Sequence, residues 1–197
     1  MLRVAVLVSG GGTNLQAIID AQNSGIIKDA KVEIVISNVA GAYGLERAKK
    51  AGIKSAVLRK KDFENAAEWE KALCNTLKEE KIDLIVLAGF MTILSKDFVT
   101  EFPEKIINVH PALIPSFCGE GFYGLKVHEA ALAKGVKVTG ATVHYVNEIA
   151  DGGRIIMQKA VEVMDGDTPE VLQRRVMEQA EWKILPRAIQ MIAEKSK

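Results

Sequence analysis

Asn108 and His110 stand on either side of a valine at the end of the run KIINVH, and Pro111 follows at once. Asn and His are poor strand formers, yet residues two apart on a strand share a face. An amide and an imidazole side by side offer a donor for a developing oxyanion and a group that carries protons near neutral pH. A purely structural histidine before a proline is the plainer alternative. A second stretch, Ser9-Gly10-Gly11-Gly12-Thr13-Asn14, joins an apolar run to a helical pattern. Glycines let a backbone approach a ligand closely, and a helix N-terminus turns free N–H groups to an anion. Gly10 and Gly12 fit a dinucleotide fingerprint, but Leu15 stands where its third glycine belongs, and Ser37-Asn38 closes the next strand without an acid. No lysine follows the glycines, which excludes a triphosphate loop. The stretch therefore reads as a monophosphate site of Gly12, Thr13 and Asn14, with a tight turn capped by Thr13 as the alternative. Third, Asp151-Gly152-Gly153 is either ordinary turn chemistry or a carboxylate that pairs with His110, stabilises its imidazolium and raises its pKa.

The other histidines, His128 in VHEAAL and His144 in ATVHYV, have no His or Cys at ligand spacing, so no metal site is expected. Cys118 in SFCGEG could pair with His110 as a nucleophile, although a loop cysteine is more often inert. The apolar run LAGFMTIL, residues 87–94, could line a groove for a flat ring or simply enter the core.

Positioning these residues requires a sheet. Apolar runs at 2–9, 31–37, 53–58, 82–88 and 105–110 alternate with helical patterns at 15–22, 43–51, 62–81 and 96–102. Phe63, Trp69, Leu73 and Leu77 share one face of the third helical pattern. This rhythm predicts an α/β fold with a doubly wound, mostly parallel sheet. After Pro115 the pattern changes. A glycine-rich loop and a helix, VHEAALAKG, lead to VTGATVHYV and IIMQKAVEV, two alternating runs separated by a short turn, which predicts antiparallel pairing in the C-terminal half. Thr168 caps a last helix with Pro169 in its first turn, and Pro186 is expected to kink or break it.

At 197 residues with 48% hydrophobic and 26% charged residues, the chain reads as one domain able to bury a core. Residues 1 to about 105 form its phosphate-binding half and about 106 to 197 its catalytic half. A net charge of +1 supplies no field for nucleic acid or an anionic membrane, so phosphate recognition must be local. Two cysteines, Cys74 and Cys118, give no disulfide framework and suit a reducing cytoplasm. The N-terminus reads as a strand and not as a signal peptide, and no run approaches the length of a membrane helix.

With these residues in place, the chain resembles the glycinamide ribonucleotide formyltransferases, the folate-dependent enzymes of purine biosynthesis. The likeness covers nearly the whole length, through SGGGTNLQAIIDA, ISN, YGLERAKKAGI, VLAGFMTILS, INVHPALIP, ATVHYV, DGGRII and the late helix at Glu181 and Pro186. It implies the formyltransferase fold, Rossmann-like in its N-terminal half. It also implies transfer of a formyl group from 10-formyltetrahydrofolate, a co-substrate, to the amine of 5-phosphoribosylglycinamide. No metal and no covalent enzyme intermediate are implied. The family's catalytic trio falls on Asn108, His110 and Asp151, which implies that Asn108 and protonated His110 face the developing oxyanion, that Asp151 holds the imidazole and that His110 or a bound water shuttles the proton. The family's phosphate loop falls on Gly12, Thr13 and Asn14, with a further contact to the nucleotide substrate at Glu181. Its folate groove falls on Met91, Thr92, Ile93 and Leu94, on Asn147, Glu148, Ile149, Ala150 and Asp151, and on Asn108. The implied partners are these small molecules, with no nucleic acid or membrane, in a monomer or homodimer.

The chain departs from the family pattern at several points. Ala66 and Thr92 stand where relatives carry Arg, so that Arg59, Lys60 or Lys61 would serve the acidic folate tail. Ala112 replaces a common Ser, and FCGEGFYG is longer than in many relatives. Rival readings are a formyltetrahydrofolate hydrolase, expected to carry an extra N-terminal domain, and a methionyl-tRNA formyltransferase, expected to carry a C-terminal domain and a basic surface. An amino-sugar formyltransferase and a non-catalytic nucleotide- or folate-binding module complete the set.

Overall fold

A computed structural model describes residues 1–196. Seven strands form one sheet in the order β3-β2-β1-β4-β5-β6-β7. β1 (Leu2–Val8), β2 (Ala30–Ser37), β3 (Lys54–Val57), β4 (Leu84–Leu87) and β5 (Ile106–His110) pair in parallel. β6 (Val138–Tyr145) and β7 (Ile155–Glu162) then pair antiparallel, as the alternating runs predicted. The helices are α1 (Thr13–Asn23), α2 (Tyr43–Lys50), α3 (Ala66–Glu79), α4 (Lys96–Glu101), α5 (Leu125–Lys134), α6 (Pro169–Val176) and α7 (Trp182–Lys195).

Strand side chains alternate between two cores. Val4, Val6 and Val8 pack with Leu15 and Ile18 of α1 and with Ile184, Leu185 and Ile189 of α7. Ala5 and Leu7 point the other way, onto Trp69, Leu73 and Leu77 of α3 and Phe98 of α4. Burial on both faces explains why these strands read as unbroken apolar runs. β1 lies between β2 and β4, so the chain reverses its direction of travel across the sheet there. The ends of β1 and β4 therefore flank the crevice where such sheets bind ligands, and the Ser9 amide donates to the Gly89 carbonyl across it (3.1 Å).

Two helical expectations need correction. The 62–81 stretch is not one helix. A short 3-10 turn, Lys60–Asp62, precedes Phe63, and α3 starts at Ala66, where Asn65 caps it by accepting from the Glu68 amide. Phe63 thus lies outside the helical face, although it packs on the same core. Pro186 neither ends nor breaks its helix but lies buried inside α7. Proline withholds the N–H that the Trp182 carbonyl would accept, and the irregularity sits just upstream, as a π-helical turn over Met177–Glu181. Such widened turns re-aim side chains, and this one carries Glu181 into the interior.

Candidate active site

β5 outlasts β4. Leu87 pairs with Asn108, leaving Val109 and His110 beyond the neighbouring strand's end. On the other side β6 covers this projection, setting His144 opposite Asn108 and Thr142 opposite His110. The buried Thr142 hydroxyl donates to the Ala112 carbonyl (2.7 Å) and accepts from the Ile114 amide (3.1 Å). It thereby holds the turn after His110, in which the Ile114–Pro115 peptide is cis.

Asp151 approaches from the loop between β6 and β7 with φ 53°, a left-handed conformation that non-glycine residues adopt at some cost. The Gly152 amide closes this turn on the Ile149 carbonyl (2.9 Å). At Gly153 a Cβ would lie 1.7 Å from the Tyr145 carbonyl oxygen. We expect Gly153→Ala to cost about 3 kcal/mol, measured as a melting temperature lower by roughly 6–12 °C.

The carboxylate of Asp151 serves two imidazoles. Oδ2 lies 3.4 Å from His110 Nδ1 and accepts from the Gly119 amide at 2.9 Å. Oδ1 lies 3.5 Å from His144 Nε2. Burial raises the Asp151 pKa, but His144, the Gly119 amide and His110 outweigh it and leave the carboxyl below its usual range. His110 Nε2 donates to the Phe117 carbonyl at 2.8 Å. Burial lowers the His110 pKa, and Asp151 and the Phe117 carbonyl offset that only in part, against a further lowering by His144. The expected rise is therefore overturned. The contact with Asp151 forms, but a ring 4% exposed loses more solvation than one carboxylate 3.4 Å away returns.

The Cys118 thiol donates to the Pro115 carbonyl (3.3 Å), and its pKa is pushed up by burial and by Asp151. A thiol held protonated in this way is no nucleophile. Behind the site, burial and the charge of His110 push His128 down to about 4, and its ring nitrogens have no hydrogen-bond partner. Among the described residues no cluster of three His, Cys, Asp or Glu could hold a metal ion.

At the glycine loop, Gly12 (φ 67°) caps α1, and a Cβ there would lie 2.7 Å from Gly44 Cα. Thr13 is the first helical residue and not the cap. Gly12 provides no side-chain cap to α1, so its first N–H groups are not satisfied by the cap residue. The Asn14 side chain turns away from the loop, donating to Glu181 Oε2 at 2.8 Å. That bond uses one of the two hydrogens of the side-chain amide, and the backbone N–H lies in the first turn of α1. Burial pushes the Glu181 pKa up to about 7, against a lowering by Asn14.

The apolar run after β4 divides its tasks. Leu94 and Phe90 pack on the Trp69 core, whereas Met91 and Ile93 are exposed. Thr92 Oγ1 accepts from Asn38 Nδ2 (2.8 Å), Ser9 Oγ donates to Asn38 Oδ1 (2.7 Å), and the Met91 amide donates to Ser9 Oγ (2.8 Å). These bonds tie the ends of β1, β2 and β4 together. Asn147 Oδ1 accepts from the Ile149 amide (3.0 Å), which shapes a loop whose Glu148, Ile149 and Ala150 are exposed. Ala66 lies at the start of α3. Arg59, Lys60 and Lys61 line a cavity of about 460 Å³ with Asn38 and Gly41. Arg59 pairs there with Asp62 at 2.6 Å, and Lys60 sits over the Trp69 ring.

Three residues of the site escaped the sequence reading. His144 has no metal-ligand spacing to mark it, although alternation in ATVHYV puts Thr142 and His144 on one face, the residues that pair with His110 and Asn108. Arg47 donates from Nε to the Gly11 carbonyl (2.8 Å) and bears on the glycine loop from α2. Asn38, quoted within ISN, proves to be the hinge of the Ser9–Thr92 network.

Known proteins share this architecture and sequence. The formyl transferase family profile matches residues 2–189. A phosphoribosylglycinamide formyltransferase from Haemophilus influenzae is 45% identical over 98% of this chain and 88% of its own length. The human trifunctional purine biosynthetic protein adenosine-3 is 48% identical over 97% of this chain, which spans 18% of that longer protein. The crystal structure of glycinamide ribonucleotide transformylase 1 from Symbiobacterium toebii superposes with a TM-score of 0.92 at 43% identity, covering 99% of this chain and 89% of that one. With the profile spanning the sheet from β1 into α7, the chain belongs to the formyl transferase family.

Proposed function

We propose that the chain transfers the formyl group of 10-formyltetrahydrofolate to the amine of 5-phosphoribosylglycinamide, yielding formylglycinamide ribonucleotide and tetrahydrofolate. The observation that carries this reading is that Asp151 faces both His110 and His144, and that His144 in turn touches Asn108, in a chain similar along its length to proteins named for that reaction. The amine nitrogen bonds to the formyl carbon, the C–N10 bond breaks, and a proton passes from the amine to N10. Negative charge gathers on the formyl oxygen, where the Asn108 amide donates. Losing one such donor typically costs about 10²–10³ in rate.

His110 is the proton carrier in this scheme. Its Nε2 must exchange the Phe117 carbonyl for the substrate, while Nδ1 keeps facing Asp151. Burial favours the neutral ring, and once its single hydrogen sits on Nδ1 against Asp151 the bare Nε2 can take the amine's proton. Asp151 steadies the resulting imidazolium until the proton leaves for N10.

The N–H groups of Gly12, Thr13 and Asn14 take the phosphate, with Arg47 adding positive charge, and Glu181 makes a further contact to the nucleotide. Met91 to Leu94 and Asn147 to Asp151 take the pterin ring, and Arg59, Lys60 and Lys61 take the acidic tail. No described helix is long and apolar enough to cross a membrane. The free cysteines Cys74 and Cys118 suit a reducing cytoplasm.

The test is a formyl-transfer assay with 10-formyltetrahydrofolate, run with and without 5-phosphoribosylglycinamide. Tetrahydrofolate released only in the presence of the nucleotide is the expected result. Release in both cases indicates a hydrolase. No release in either points to another acceptor, such as an amino sugar, or to a binding module.

A further inference from the structure

The antiparallel pairing of β5 with β6 sets His144 directly across from Asn108, where facing side chains start about 5 Å apart. The His144 ring is buried, and its two nitrogens have different company. Nδ1 lies 2.9 Å from the Tyr145 carbonyl oxygen. A carbonyl only accepts, so this nitrogen carries the hydrogen. Nε2 is left with its lone pair, and it faces the Asn108 amide nitrogen at 3.3 Å. An amide nitrogen only donates, so one of its two hydrogens goes to His144. The Asp151 carboxylate oxygen beside the same Nε2, at 3.5 Å, would take a hydrogen from it only when His144 carries a second proton.

We propose that His144 is a positioning residue that holds the Asn108 amide with its nitrogen in the site, so that the second N–H is presented to the formyl oxygen. The proposal rests on the reading of Asn108 as the oxyanion donor. An asparagine amide has two orientations of nearly equal shape that differ only in which end is which. Reversed, it would set Oδ1 against the developing negative charge and repel it. The reversed amide would also set Oδ1 against the Nε2 lone pair, with no hydrogen between them. Order therefore passes from a backbone carbonyl, which fixes the tautomer of His144, to the ring, then to the amide, then to the substrate. Second partners of this kind commonly decide the orientation of the groups that touch a reacting atom.

A double-mutant cycle on the full chain tests this, read as kcat and as KM for both substrates. His144→Leu is expected to lower kcat about tenfold, the scale of one neutral hydrogen bond, with each KM moving less than about twofold. In the Asn108→Ala background no amide remains to orient, so the same substitution should change kcat by less than about twofold. His144→Gln, whose Oε1 can accept from the amide, should recover most of the loss. Should the leucine variant fail to fold, His144→Phe keeps the ring shape and carries the same cycle. An equal loss in both backgrounds, or no recovery by Gln, would overturn the positioning role in favour of a general structural one. If Asn108→Ala alone left kcat unchanged, the oxyanion assignment beneath it would fall instead, a result distinct from failure of the cycle.

Discussion

Asp151→Asn is expected to lower kcat by about 10³-fold, with the protein still folded, and to move the acidic limb of its pH–rate profile to lower pH. The sign follows from the site. Burial already holds the His110 pKa below its ordinary value, and Asp151 is the strongest influence pushing it back up. With the carboxylate gone, the ring protonates only at still lower pH. Turnover falls because the imidazolium formed during proton transfer has lost its counter-charge 3.4 Å away. His110→Ala should cost a similar factor, and the double variant little more than either alone, since the two act as one unit. The Asp151 pKa lies below its ordinary value, so its ionisation stabilises the fold above the unfolded carboxyl's range and ceases to do so as pH falls through its own pKa. The Asn variant should accordingly melt slightly lower than the parent at neutral pH and lose that deficit in acid. A pH–rate profile indifferent to the substitution would sink the proposed pairing.

What could be read from the sequence divides along physical lines. β1, β2 and β4 announce themselves because both faces of a parallel strand are buried, so Val4 to Val8 and Leu84 to Leu87 carry no polar residue. The β6–β7 hairpin was legible for the opposite reason, its alternation. Asn108 and His110 could be singled out because two poor strand formers end an apolar strand. His144 could not be placed, since its importance lies in a cross-strand register that no local pattern encodes. The bond between Asn14 and Glu181 joins residues 167 positions apart and depends on the π-helical turn over Met177–Glu181 that carries Glu181 inward. The start of α3 was misplaced because charged residues before Ala66 continue the helical spacing, while Asn65 and its cap bond decide the true beginning. The sign of the His110 shift required knowing the depth of burial, which spacing does not report.

The sharing of Asp151 between two histidines bears on how the site holds its shape. One oxygen and the Gly119 amide fix the side of His110, and the other oxygen faces His144. The glycine-rich segment after Pro115 is thereby connected to the Asp151 carboxylate by its own backbone, and to His110 by the Phe117 carbonyl. Substrate arrival at Nε2 must displace that carbonyl. The conformation of 117–124 and the readiness of His110 are on this account one property.

Glu181→Gln is expected to stabilise the substrate-free protein by up to about 3 kcal/mol at pH 8 and to raise the KM for the nucleotide acceptor by about tenfold or more. Glu181 is fully buried, and burial lifts its pKa from 4.5 to about 7. An acid whose folded pKa exceeds its unfolded one favours folding most at low pH. Below about 4.5 both states are protonated and the group is neutral in the balance. Between there and about 7 the unfolded chain releases a proton that the folded one retains, so stability falls as pH rises. Above that the full penalty of a buried carboxylate persists, and glutamine is spared it. The glutamine Oε1 still accepts from Asn14, so the bond that seats the start of α1 survives the exchange. What disappears is a negative charge beside the proposed nucleotide site, held at an energetic cost that a bound hydrogen-bond donor would offset. Melting curves of parent and variant should therefore coincide near pH 4 and separate through pH 7, while kcat changes less than the acceptor's KM. Curves that stay parallel across that range would mean that Glu181 does not titrate in the fold, and an unchanged acceptor KM would remove it from the nucleotide site.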